Sequence, residues 1–559
     1  MPDSEADRTP TPVDAIAEQW VSTLAAMSPE LAIYIGVDGA IDQFDDFSPA
    51  GLQEYRDATR AVLGELDAAT PVDLHDQVTI ADLRERLELD EELADVGWPL
   101  RDLNVIASPA QRIREIFDLM PTSTEHDWGN IARKLSNVGA ALEGYTETLR
   151  KGIAAGNTPA RRQVVEVLEQ ARRNAGNENF FAEFTAGAAI EGGEVPASLR
   201  ADLARGATAA GEAYGAFARF LETELAPAAR EHDAVGRDLY ALLSRQFLGA
   251  TIDLDETYEW GIEELARMVE EQTRVAGEIL PGASVEEAIA HLEKDPARKL
   301  YGRDALKAWM QNLSDTAIAE LSRTHFEIPE PVKQLECLIA PTPGGIIYYT
   351  GPTDDFSRPG RMWWSIPEGV NEFDTWRETT TVYHEGVPGH HLQIGQAVSN
   401  RAQLNSWRRL LAGTSGHAEG WALYAERLME ELGYLDDPVD RLGMLDGQRM
   451  RAARVVLDIG VHLGKIHPET GEVWTSDDAF RFMRKNVNMN DGFVTFEVNR
   501  YLGWPGQAPS YKVGQRIWEQ IRDAYKAKEG DAFSNKVFHK KALDLGGVGL
   551  DTLKSALLT

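Results

Sequence analysis

Three of the chain's twelve histidines fall within the stretch Tyr383-His384-Glu385-Gly386-Val387-Pro388-Gly389-His390-His391, and a carboxylate directly follows the first of them. Imidazoles and carboxylates are the ligands of hydrolytic zinc centres, which keep one position open for a water whose pKa falls towards about 7. A glutamate directly after a ligand histidine lies roughly 100° round the helix, where it can take that water's proton and pass it to a leaving amine. The stretch therefore has the composition of a metal site carrying its own general base, with His384 as ligand and Glu385 as base.

The spacing is irregular. Two ligand histidines usually stand four apart, about 6 Å along the axis and about 40° round it. Here position 388 is proline, and the next histidines, His390 and His391, come six and seven residues after His384. On a straight helix the seven-residue spacing keeps the face but parts the Cα atoms by roughly 10.5 Å, while the six-residue spacing puts the side chain on the wrong face. Pro388 cannot donate to the carbonyl of His384 and its ring crowds that carbonyl, while Gly389 relaxes the backbone, so a kink or widened turn is expected there. Such a kink swings His390 towards the metal as second ligand. His391 is the alternative, and whichever of the two does not bind the ion supports the ligands or holds substrate.

A third ligand has to come from a neighbouring helix. Gly416-His417-Ala418-Glu419-Gly420-Trp421-Ala422-Leu423-Tyr424 offers Glu419, in the first turn of an otherwise apolar segment, flanked by small residues that admit another backbone at close range. A carboxylate on such a packing face needs a partner, and a cation supplies one; favouring the helix N-terminus electrostatically is the other reading. Donors for an oxyanion and for a substrate's ends are sought downstream among His462, Arg500, Tyr501, Tyr511 and Lys512. A tyrosine or histidine suits the oxyanion, which places Tyr511 and His462 with the catalytic groups. Arginine or lysine suits a terminal carboxylate, which places Arg500 and Lys512, with the adjacent Tyr501, on the substrate side.

Composition narrows the choice of metal ligands and partners. The one cysteine, Cys337, leaves no intramolecular disulfide framework and no thiolate cluster, so a metal must be held by histidine and carboxylate. A formal charge of −34 and a pI near 4.8 argue against nucleic acid or an anionic membrane as partner. The N-terminus is acidic and polar where a secretory signal needs a basic start and an apolar run, so a cytoplasmic protein is expected.

The elements that must position these residues read as mainly α. Residues 1 to 12 look like a mobile tail, and from Val13 the face Ile16, Trp20, Leu24 and Met27 begins a helical pattern interrupted at Pro71, Pro99 and Pro121. Asp255 is expected to cap a helix that runs to about Ile279 before Pro281 ends it. Residues 13–330 thus read as a helical N-terminal lobe. After Ile328-Pro-Glu-Pro331 the texture changes to short β-branched and aromatic runs around a Pro-Gly-Gly turn signal, which predicts a hairpin and small sheet over about 335–366. Helix resumes near Glu372 and carries the His/Glu stretch, making 331–559 the catalytic lobe.

At these residues the chain resembles the bacterial family named domain of unknown function 885. The likeness rests on His384-Glu-Gly-Val-Pro-Gly-His-His391, Glu419-Gly-Trp-Ala-Leu-Tyr424, Arg500-Tyr501 with Pro505-Gly-Gln507, and Tyr511-Lys512. Upstream, Tyr348-Tyr349 followed by Ser357-Arg-Pro-Gly360 is similar to the family's hairpin region. The resemblance implies a helical body similar to zinc oligopeptidases and carboxypeptidases of the thermostable carboxypeptidase type, with two lobes around a deep cleft. It also implies an edge strand that pairs with the substrate backbone, here around Ile346 to Thr350 with Tyr349. It makes His384 and Glu419 ligands and Glu385 the base, while Pro388 departs from the oligopeptidase motif. The function expected is that of a zinc peptidase cleaving short peptides. A non-catalytic metal- or peptide-binding helical protein and a metal hydrolase of a non-peptide amide or ester are the alternatives.

Overall fold

The computed structural model describes residues 8–176, 179–340 and 347–559. As the 3.6-residue periodicity predicts, the chain is mainly helical. Helix α1, Pro12–Met27, starts behind Thr11, whose side chain accepts from the Asp14 backbone N–H while Asp14 reaches back to the Thr11 backbone. The residues just before it are not a loose tail, because Arg8 pairs with Asp14, Asp73 and Asp76 and so ties the chain to the start of the helix spanning Leu74–Asp95. The rest of the expected tail, residues 1–7, lies outside the described residues.

Helices α2, Glu125–Ala154, and α3, Ala197–Phe220, pack against each other over Leu135, Val138, Tyr145, Leu203, Tyr214 and Phe217, the centre of a core that runs from Phe47 to Ala229. A second core takes in most of the chain after Tyr240. Its organising helix, α4, Leu254–Ile279, ends where its pattern predicts but is capped by Asp253, whose carboxylate accepts from the backbone N–H groups of Asp255 and Glu256. Met268 and Val275 of α4 share that core with Val455 and Val456 of a downstream helix. Apart from Val78, these two cores take residues from either side of Ala229 to Tyr240, while two smaller clusters join both sides, Trp20 and Leu83 with Trp407, and Leu89 and Leu93 with Leu243.

Two small sheets precede the His/Glu stretch. Strand β1, Lys299–Tyr301, pairs antiparallel with β5, Glu372–Asp374. Between them lie β2, Leu335–Ile339, β3, Ile347–Thr350, and β4, Gly360–Trp364, in the order β2-β4-β3, with β4 parallel to β2 and antiparallel to β3. The hairpin is thus β3–β4, and the expected turn at Pro343-Gly344-Gly345, together with Ile346, lies outside the described residues. Strand β5 leads directly into α5, Thr375–Glu385, followed by α6, His390–Ser399, α7, Ser415–Glu431, and α8, Pro438–Leu463. Helices α9, Asp491–Gly503, and α10, Ser510–Glu529, complete the surroundings of the site. Helices α7 and α10 touch backbone to backbone, since a Cβ on Gly420 would lie 2.4 Å from the carbonyl carbon of Gly514. Among the described residues no helix is long and apolar enough to cross a membrane.

Candidate metal centre

The helix does more than kink at Pro388: α5 stops at Glu385, residues 386–389 form a turn with a cis Val387–Pro388 bond, and α6 starts at His390. Several of the turn's backbone groups are paired. Gly386 N–H donates to Val382 O at 2.9 Å, Gly389 N–H to Tyr383 O at 3.0 Å, and His391 N–H to Gly386 O at 3.1 Å. The indole N–H of Trp421 on α7 donates to Pro388 O at 2.8 Å, fixing the turn against the helix that carries Glu419. The consequence is that His384 and His390 face each other, with ring centroids 4.8 Å apart and planes at 89°.

Glu419 completes the group. Its Oε2 lies 3.3 Å from His384 Nε2 and 3.5 Å from His390 Nε2, and one ligand atom from each of the three residues falls within 4.8 Å of the others. Ligands held about 2.0–2.1 Å from a tetrahedral zinc ion stand about 3.3 Å apart, close to the 3.3 and 3.5 Å that separate Glu419 Oε2 from the two imidazole nitrogens. Glu419 Oε2 is buried and accepts no hydrogen bond, and an unpartnered buried carboxylate oxygen is costly unless a cation faces it. The donor set of two imidazoles and a carboxylate therefore fits zinc in both chemistry and geometry.

A fourth residue, not singled out from the sequence, fixes the first ligand. Glu426 Oε1 lies 2.8 Å from His384 Nδ1, while its other oxygen accepts from Gln448 Nε2 at 3.3 Å. It stands two helical turns after Glu419 on the same face of α7, and that spacing is the one signal it leaves in the sequence. Burial would lower the His384 imidazole, but its contacts with Glu419 and Glu426 outweigh this and push it up to about 10. Burial would raise Glu419, but the two imidazoles hold it well below the ordinary carboxylate range. Glu385, the last residue of α5, is buried, which pushes its carboxyl up against the opposing pull of His390 and His384.

The remaining sequence candidates fall into three groups. His391 is fully enclosed, with Nε2 donating to Val332 O at 2.7 Å and Nδ1 at 2.9 Å from the Tyr349 hydroxyl of β3. Both ring nitrogens are thus used, and burial lowers the imidazole to about 4, so it is neutral and braces Tyr349 instead of binding an ion or substrate. His462 and Lys512 are also turned to other work. His462 Nε2 donates to Tyr501 O at 3.1 Å and its ring stacks on Tyr240, within the packing of α8 on α9. Lys512 is buried, paired with Glu264 at 2.9 Å and donating to Gln448 at 2.6 Å, so its charge serves the network behind Glu426. The third group lies beside Glu419. The Tyr511 ring is flanked by Arg454 and Arg451, whose guanidinium carbons are 5.1 and 5.8 Å from its centroid, and burial followed by Glu419 raises its hydroxyl. Arg500 donates to Glu497 at 2.9 Å and Gln507 at 2.7 Å, and the Tyr501 hydroxyl accepts from Arg454 Nε at 2.6 Å and donates to Glu497. Arg451 and Arg454 of α8 were not picked out from the sequence, where they are ordinary members of a long helix.

The chain belongs to the family described as bacterial protein of unknown function (DUF885), whose profile matches residues 29–557. A Colwellia psychrerythraea protein named as a "putative lipoprotein" is similar in structure at 22% identity, with a TM-score of 0.84 and 98% of both chains covered. A Shewanella oneidensis protein, named as a "putative lipoprotein of unknown function", is similar at 17% identity and a TM-score of 0.74, covering 99% of this chain and 100% of that one. These likenesses show a shared fold. A Pyrococcus furiosus carboxypeptidase structure aligns over 90% of this chain and 94% of its own at 13% identity, but with a TM-score of 0.35, too low to support the expected kinship of fold. The comparison with curated proteins found no match. The cytoplasmic expectation is corrected by these findings, because both full-length structural neighbours carry the name of a lipid-anchored class of protein. An acidic N-terminus was not sufficient ground for a compartment.

Proposed function

We propose that this member of DUF885 is a metal-dependent hydrolase, a zinc peptidase acting on short peptides, with His384, His390 and Glu419 as ligands and Glu385 as general base. The observation that carries this reading is the convergence of the three ligand atoms around a buried Glu419 oxygen that has no hydrogen-bond donor. A zinc ion bound there would supply a Lewis acid and a water of lowered pKa. The chain's own residues supply the rest. Glu426 accepts from His384 Nδ1–H, which fixes the tautomer and leaves Nε2 free to face the ion. Glu385, whose carboxyl burial pushes up, follows the ligand His384 directly and is the group to take a proton and return it to the leaving amine. Tyr511 is held protonated by its buried position near Glu419, as a donor to an oxyanion must be. Tyr349 is held in place on β3 by His391, at the strand in the position to pair with a substrate backbone.

The test is metal analysis of protein purified without added ions, then digestion of a peptide library by wild type and Glu385→Gln. About one equivalent of metal in both proteins is expected, with peptide hydrolysis falling about 100- to 10,000-fold in the variant. Absence of stoichiometric metal from the wild type overturns the reading, and full activity in Glu385→Gln overturns the assignment of the base.

A further inference from the structure

Gln448, Arg451 and Arg454 recur every three residues along one face of α8, and the first and last are committed. Gln448 holds Glu426, and Arg454 donates to Glu497 Oε2 at 2.8 Å and to the Tyr501 hydroxyl. Arg451 stands between them with no ion pair or hydrogen bond among the described residues. Its Nε is buried without an acceptor, although the side chain as a whole is only partly buried. The guanidinium folds back over Gly447, where a Cβ would come within 2.7 Å of Nη1, and lies beside the Tyr511 ring. A buried guanidinium N–H with no acceptor is costly, so the arrangement is poised for an anion that the chain itself does not supply.

The charge count around Tyr511 points the same way. Beside burial and the charge of Glu419, which raise its hydroxyl, Arg500, Arg454 and Arg451 all act on it in the opposite direction. Glu497 neutralises only part of this charge: its Oε2 is taken by Arg454 and Tyr501, and its Oε1 by Arg500. Arg500 Nε is also buried without an acceptor. In a chain of formal charge −34, this local cationic excess sits beside the acidic ligand cluster without closing on it. Two nearby acids feel the charge of Arg451, Glu426 and Glu385; Glu426 is already held by His384 and Gln448, and neither forms an ion pair or hydrogen bond with Arg451 among the described residues.

We infer that Arg451, with Tyr511 beside it, forms a carboxylate-binding subsite next to the metal centre and takes the C-terminal carboxylate of a short peptide. Guanidinium offers a planar pair of N–H donors that matches a carboxylate. The terminal carboxylate is the anion that every unmodified short peptide carries, whatever its sequence. The inference rests on the hydrolase reading above, and it replaces Arg500 and Lys512, both committed to internal partners, as the group that meets this carboxylate.

The experiment pairs each of several short peptides with its C-terminal amide. Binding to zinc-loaded Glu385→Gln protein is measured by titration calorimetry, and KM and kcat are measured on the wild type. The free acids are expected to bind about 10- to 100-fold more tightly than the amides, the range of a charge-assisted hydrogen bond. Adding Arg451→Met should erase the preference, Arg451→Lys should restore part of it, and Arg451→Met in the active protein should raise KM for acids much more than it lowers kcat. Equal binding of acid and amide, or a preference that survives Arg451→Met, overturns the inference even where both peptides are cleaved, which leaves the hydrolase reading intact. If zinc-loaded wild type cleaves no peptide while Glu385→Gln still prefers acids through Arg451, the hydrolase reading fails and the subsite stands as a binding site.

Discussion

His384 and Glu419 cannot face each other as they do without something between them. A neutral imidazole has one donor and one acceptor nitrogen, and Glu426 takes the donor at Nδ1. Nε2 is then an acceptor only 3.3 Å from a carboxylate oxygen, an arrangement that requires a proton or a metal ion to bridge it. Glu426→Gln, which removes the charge and allows the amide to turn its NH2 towards Nδ1, is predicted to weaken metal binding about 10- to 100-fold, read by competition with a chelator. Unchanged affinity would show that another group orients His384. The two later histidines separate in the same assay: His390→Ala should lose the metal, whereas His391→Ala should keep it and lose about 1–3 kcal/mol of stability because Val332 O loses its buried donor. At this scale the sequence marked residues that converge in the structure and left their supports unmarked. The types and local order of His384, Glu385 and His390 suggest chemistry, but in sequence Glu426 looks no different from the exposed Glu431 of the same helix.

The break after Glu385 was legible because proline and glycine act on the backbone locally, through a missing donor and a relaxed φ/ψ, so no distant contact is needed to foresee it. Strand pairing was not. The parallel β2–β4 register and the pairing of β1 with β5 join segments far apart in the chain, and short strands carry no code for such partners. The small residues beside Glu419 were a clear signal, because only another backbone makes use of them. In the structure that backbone is α10: a Cβ on Gly514 would lie 2.4 Å from Gly416 O and 3.0 Å from the Gly420 Cα. Backbone atoms cannot rotate away, so Gly514→Ala must push α7 and α10 apart. The variant is predicted to lose at least about 1–3 kcal/mol in denaturant unfolding and, because Glu419 precedes Gly420, to bind metal more weakly. Native stability together with native metal affinity would mean that the crossing does not position the ligand.

Over the whole molecule, composition described the chain's charge but not its compartment or the division of its cores. The second core contains a group whose titration should be visible in global stability. Asp458 of α8 accepts from the Tyr240 hydroxyl at 2.7 Å, just beyond the first core, and from Gly506 N–H at 2.8 Å, in the turn between α9 and α10. Its Oδ1 is buried with no donor, and burial pushes the carboxyl up to about 7. Unfolded, an aspartate titrates near about 3.9. Between those values the folded chain keeps a proton that the unfolded chain has lost. The resulting stabilisation is fully present below the unfolded pKa and is lost as pH rises through about 7. Asp458→Asn keeps an oxygen for both donors and does not titrate. Relative to wild type the variant should therefore gain about 1–3 kcal/mol between pH 5 and pH 8, measured as the difference in unfolding free energy at each pH. His462, whose Nε2 lies 3.9 Å from Asp458 Oδ1, has its imidazole lowered to about 4 by burial and so stays neutral in the folded wild type across this range. Parallel stability curves for the two proteins would show that Asp458 is ionised throughout, and that the second core holds a charge instead of a neutral hydrogen-bonded acid.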